Sequence, residues 1–173
     1  MDGVVAQYER NAYAGNYAED AEHHEKPRFL REPDYFRTCT PDMTIIKAFS
    51  MLNEHNVNII VLSNIMDSPI MNGHIDGKRT WLCQYMPFID DFHPIQKPKA
   101  EYVSETILKR SLKPTDILIS DFNNDLVPWD RSGGTGVKYI NGLNSPESYT
   151  GKKIFAEWDE YRIAQFLLAL INP

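Results

Sequence analysis

Two short apolar runs, each closing on a small polar residue, constrain this chain more than any other feature. Val57-Asn58-Ile59-Ile60-Val61-Leu62 leads into Ser63, and Ile117-Leu118-Ile119 leads into Ser120-Asp121. Runs this short and this apolar suit strands buried on both faces, as in a parallel sheet covered by helices. Helical segments lie between and after them. Thr40-Pro41-Asp42 has the marks of a helix start: a capping hydroxyl, a proline in the first turn and an early acid near the positive end. Ile45, Phe49 and Leu52 then supply an apolar face at spacings of four and three. A helix over 98–110 would align Val103 and Ile107, with Tyr102 alongside. Gly73 and Gly77 are expected to interrupt any long helix in 64–95 and leave a shorter one near 78–86. Val137–Ile140 reads as a short third strand. At the end of the chain, Ile163, Phe166, Leu167, Leu170 and Ile171 share one face of an amphipathic helix. Strands alternating with helices predict an α/β domain with a mostly parallel sheet. Ligands of such sheets collect at the carboxyl ends of the strands, where Ser63 and Asp121 both fall.

The bulk numbers narrow the function classes. A length of 173 residues with 42% hydrophobic content fits one folded domain. A net charge of −6 argues against a broad face for a nucleic-acid polymer, which needs clustered Lys and Arg. It leaves room for a small phosphate ester held in a local cationic pocket. Two cysteines, Cys39 and Cys83, make no disulfide scaffold and have no zinc-ligand spacing, so a reducing, cytoplasmic setting is expected. The longest apolar stretch, Phe166 to Ile171, is too short for a bilayer, and the first residues lack the basic start and apolar core of a signal peptide.

Four stretches carry candidate chemistry. Met1-Asp2-Gly3-Val4-Val5 opens the chain, Ser63-Asn64 closes the first apolar run, Lys97 and Lys99 flank Pro98, and Ser120-Asp121-Phe122-Asn123-Asn124-Asp125 follows the second run. In this order and separation they resemble the motifs of the haloacid dehalogenase (HAD) superfamily of phosphohydrolases, and within it the branch of 5'(3')-deoxyribonucleotidase-like proteins. Lys99-Ala100-Glu101-Tyr102-Val103 resembles that branch more than Lys97 does, and Gly133-Gly134-Thr135-Gly136 resembles it too. Read alone, that glycine segment lacks the Lys-Ser/Thr of a phosphate-cradling loop and is a turn.

The resemblance implies a Rossmann-like, three-layer fold with a mostly parallel sheet whose first strand is truncated. It divides the chain into a core of 1–6 and 41–173 and a small helical cap-type insertion of 7–40. It implies a magnesium ion held by the family's nucleophile aspartate, the backbone carbonyl of Asp2 and the Asp121 carboxylate, with Asp125 orienting waters. Asp2 would act as general acid and base, Ser63 and the Asn64 amide would bind phosphoryl oxygens, and Lys99 would offset charge. Gly3 and Lys97 would lie on the substrate. The family's nucleophile precedes the variable residue of its first motif, so it is expected just upstream of Met1.

Each residue also has a plain structural reading. Asp2 can be an acid near a chain end, Ser63 a turn residue, the lysines solvated charges, and Asp121 and Asp125 turn formers. His23-His24 with Glu22 and Glu25 is a poor metal pair, because adjacent side chains diverge by about 100° on a helix. Tyr8, Tyr13, Tyr17 and Phe29 could line a nucleobase pocket or form the small core of a cap. Two functional readings follow. One is a magnesium-dependent phosphohydrolase of a small phosphate monoester, for example a nucleoside 5'-monophosphate, working through an aspartyl-phosphate. The other is a truncated, non-catalytic HAD-like protein that binds a phosphate ligand or a protein partner. Oligomeric state leaves no mark on the sequence.

Overall fold

A computed structural model describes residues 1–7, 32–65, 67–142 and 148–172. Seven strands and five helices alternate along it: β1 (Ala6–Gln7), β2 (Thr40–Pro41), α1 (Met43–Glu54), β3 (Val61–Asn64), α2 (Met71–Tyr85), β4 (Phe92–Ile95), α3 (Lys99–Tyr102), β5 (Ile117–Ser120), α4 (Asn123–Arg131), β6 (Thr135–Ile140), β7 (Lys152–Phe155) and α5 (Glu160–Ile171). α3 continues as π-helical turns over Val103–Leu108 and stops at Lys109, whose φ of 53° is left-handed. β3 pairs in parallel with β4, and β5, β6 and β7 form a parallel set in that order. The antiparallel pair is β1 with β2, Ala6 opposite Pro41.

Alternate strand residues feed two apolar clusters. Val61, Ile117, Ile119, Val137 and Ile154 pack with residues of α1, α2 and α5, while Leu62, Ile95 and Leu118 pack with residues of α3 and α4. Helices therefore cover both faces of the parallel strands, and the fold is the mixed α/β type expected from the alternation. No described helix is long and apolar enough to cross a membrane.

Several elements differ from the sequence expectations, each for a local reason. β3 starts at Val61 rather than Val57 and runs on through Ser63, because its partner β4 begins at Phe92, directly opposite Val61. α1 is capped by Asp42, whose side chain accepts from the Ile45 amide, and not by Thr40, which pairs with Gln7. α2 passes through both Gly73 and Gly77 for 15 residues. The glycines admit a neighbour: a Cβ at Gly73 would stand 2.5 Å from Pro33 Cβ, and one at Gly77 3.3 Å from the Arg37 amide nitrogen. The short 3₁₀ turn Tyr35–Thr38 sits on this helix. β7 was not anticipated, since only Ile154 in it is buried.

Residues 8–31, most of the expected cap-type insertion, lie outside the described residues, and with them Tyr8, Tyr13, Tyr17, Phe29 and the His23-His24 pair.

Candidate functional site

The carboxyl ends of β3 and β5 lie on either side of the segment Met1–Val5. Ser63, second from last in β3, is buried and donates a hydrogen bond from its hydroxyl to Asp2 Oδ2 at 3.0 Å. Gly3 bends the chain tightly at φ 71°, with its amide on the Ala6 carbonyl at 2.9 Å. Only glycine fits there, because a Cβ would overlap the Asp121 carboxylate. Asn141 closes the turn from the far side, donating to the Gly3 carbonyl at 2.5 Å. The Met1 amino group reaches the Leu62 carbonyl at 3.4 Å. Among the described residues, β3 has β4 as its one ladder partner, and β5 has β6.

Two buried lysines approach the same place from different helices. Lys99, the first residue of α3, contacts Asp125 Oδ2 at 2.6 Å. Asp125 also accepts from the Ser120 hydroxyl at 3.0 Å and the Asn64 side-chain amide at 3.5 Å, which ties the ends of β3 and β5 together. Lys78, in the middle of α2, is 2% exposed and ion-pairs with Asp2 Oδ2. Its ammonium also donates to Ser63 Oγ at 2.6 Å and lies 3.9 Å from the centroid of the Phe36 ring. A third buried lysine, Lys138 of β6, donates to Asn123 Oδ1 at 2.7 Å. Its register opposite Ser120 sets it beside the β5 end.

The sequence candidates thus divide clearly. Asp2, Gly3, Ser63, Asn64, Lys99, Asp121 and Asp125 come together. Lys97 does not: its side chain is 57% exposed and pairs with Glu101 at 3.2 Å and Glu105 at 3.4 Å. Of the two lysines flanking Pro98, the buried one is Lys99. Lys78 and Phe36 were missed. A usable signal existed, because Lys78 shares a helix face with Trp81 and Leu82 at spacings of three and four, and both of those are buried. A lysine in register with a buried stripe needs a buried partner.

Electrostatics follow from this crowding. Burial alone would push the Asp2 carboxyl up, but Lys78, the Met1 amine and the Ser63 hydroxyl together hold it below the usual carboxylate range. Asp121 goes the other way: burial pushes it up, and the nearby cations offset this only in part. Burial lowers Lys138, against the pull of Asp121. The Met1 amine is pushed down to about 5, by burial first and then by Lys99 and Lys78.

The magnesium implied by the motif resemblance can be tested against these groups. Asp2 and Asp125 each have an ammonium on one oxygen, and no group of three His, Cys, Asp or Glu among the described residues is placed to hold a metal. Magnesium demands a near-octahedral shell of oxygens, and the described donor set does not fit it. One acceptor is left over. Asp2 Oδ1 is buried with no hydrogen-bond partner among the described residues.

Comparison with known proteins bears on the fold. The structure aligns with the crystal structure of a HAD-superfamily hydrolase from Ehrlichia chaffeensis at a TM-score of 0.53, with 19% sequence identity, over 78% of this chain and 61% of that one. The fold is HAD-like. At this identity the likeness is one of fold, and the chain spans about three fifths of that hydrolase's length. No protein-family model and no curated protein matches the sequence. The ends of β3 and β5, on either side of Met1–Val5, are carboxyl ends of parallel strands, the place where an α/β sheet presents ligands.

Proposed function

We propose that this chain carries the phosphate-binding core of a hydrolase for small phosphate monoesters, nucleoside 5'-monophosphates among them. The observation that carries the proposal is the convergence of Ser63, Lys78 and Lys99 with Asp2 and Asp121 where the carboxyl ends of β3 and β5 flank Met1–Val5. A phosphate monoester is a dianion, and fixed, buried donors stabilise it without reorganising. Ser63 is placed to turn its hydroxyl from Asp2 to a phosphoryl oxygen, and Lys99 to balance charge on the opposite side. Asp2 is the candidate acid–base group, a role that contributes about 10²- to 10⁴-fold in rate when well positioned. Its pairing with Lys78 favours the ionised form, which supports removing a proton from water more than donating one to the leaving oxygen.

The nucleophile for an aspartyl-phosphate is assigned, as in the resemblance, to an aspartate ahead of Met1. Asp2 and Asp125 are both engaged by lysines, and Asp121 lies beneath Gly3. Magnesium dependence belongs to the proposal only together with that further carboxylate beside Asp121. The core of 1–6 and 41–173 and the cap of 7–40 are part of the same proposal. A second reading, a phosphate-binding protein without turnover, is favoured by the same lysine pairing of Asp2 and Asp125.

Phosphate release from a panel of nucleoside 5'-monophosphates separates the two. It is measured in magnesium buffer on this chain and on a form extended by the codons upstream of Met1. The expected result is release by the extended form, abolished by Asp121→Asn. Phosphate binding without release from either form would favour the second reading, and neither binding nor release would overturn both.

A further inference from the structure

We infer that Phe36 is a positioning residue of the anion site, acting through Lys78, so that the turn Tyr35–Thr38 sets the geometry of that site through one aromatic face. The inference rests on the phosphate assignment above and adds a residue that none of the motifs contains.

Lys78 reaches Asp2 and Ser63 at the end of a flexible four-carbon stem, and a buried ammonium needs favourable contacts on every side once its water is removed. Asp2, Ser63 and the Asn64 carbonyl at 3.5 Å supply one side. The Phe36 ring supplies another, 3.9 Å from Nζ, within the range where the ring quadrupole attracts a cation. Phe36 is itself held. It is buried, its ring meets the His74 ring edge-on at 5.0 Å, and the turn that carries it rests against Gly73 and Gly77 of α2. Gly77 directly precedes Lys78. The close approach that Gly77 permits therefore puts the ring over the neighbouring lysine, and the two glycines and the aromatic act as one seat.

This makes Lys78 different from Lys99. Lys99 is set by its own helix start and by Asp125, within the core. Lys78 is set jointly by Asp2 and Ser63 and by the turn Tyr35–Thr38. A displaced turn would leave Asp2 and Ser63 in place and let the ammonium drift.

The test is calorimetric titration of inorganic phosphate into the full chain. Phe36→Leu keeps an apolar side chain without a π face and should weaken phosphate by about threefold to thirtyfold, the span of one cation–π contact. Phe36→Tyr keeps the face and should bind within about twofold of the parent. A purely structural role would track thermal stability and would not separate Leu from Tyr by affinity. Should Phe36→Leu fail to fold, Gly77→Ala tests the same seat by lifting the turn, and weaker binding is again expected. Affinity unchanged in Phe36→Leu or Gly77→Ala, with Lys99→Gln still weakening phosphate, would overturn the role of Phe36 and leave the phosphate assignment standing. No phosphate binding by the parent chain would overturn both.

Discussion

A lysine that is 2% exposed stays in a fold only if its charge is matched, and Lys78 is matched by Asp2. Removing one member of a buried pair strands the other, at a cost of about 3–5 kcal/mol. Lys78→Met should therefore lower the unfolding free energy by about that amount in urea at neutral pH, and Asp2→Asn added to it should restore most of the loss. Equal stabilities for the single and double variants would contradict the pairing. The acid dependence has a defined sign. Asp2 has a folded pKa below its unfolded value, so its contribution is complete above the unfolded value near 3.9 and is lost as pH falls through the folded one. Asp121 opposes this, since its raised pKa makes its cost largest above the folded value and relieves it in acid. Asp2 was legible from the Gly-Val that follows it, and Ser63 and Asp121 because each ends an apolar run. Lys78 was legible only as a member of a buried helix stripe, three and four residues before Trp81 and Leu82, and such a stripe does not name its partner.

At the scale of elements, α2 shows why a helix can cross two glycines. Glycine weakens a helix interior by about 1 kcal/mol relative to alanine, which is why a break was expected at Gly73 and Gly77. The turn from Pro33 to Thr38 packs where their side chains would be, and tertiary contact outweighs propensity. Gly73→Ala should accordingly destabilise the protein by about 1 kcal/mol, the overpacking against Pro33 exceeding the gain in propensity. Thermal unfolding reads this, and a higher melting temperature would contradict the packing. Strand limits were harder to see than strand centres. β3 begins where β4 offers a partner and not where the apolar run begins, and a run cannot show its partner. β7 was invisible because Lys152 and Lys153 dilute its one buried residue, Ile154.

For the whole molecule, the alternation of strand and helix and the apolar runs sufficed for the α/β class, because burial on both faces leaves a continuous apolar signature. The location of the candidate site follows from strand ends, a rule of topology that needs no side-chain detail. What the sequence could not supply is convergence in space: Ser63, Lys78, Lys99 and Asp121 are spread over 59 positions and meet only through the fold. Phe36 illustrates the same limit, since nothing near Tyr35-Phe36-Arg37 signals a lysine 42 residues away. Diffraction from crystals of the chain grown in tungstate, a heavy mimic of phosphate, locates the anion by its anomalous signal. The expected position is one anion at the ends of β3 and β5, within about 3 Å of Ser63 Oγ and Lys99 Nζ. An ordered anion anywhere else, with those two groups still facing Asp2 and Asp125, would contradict the assignment of this cluster as the phosphate site.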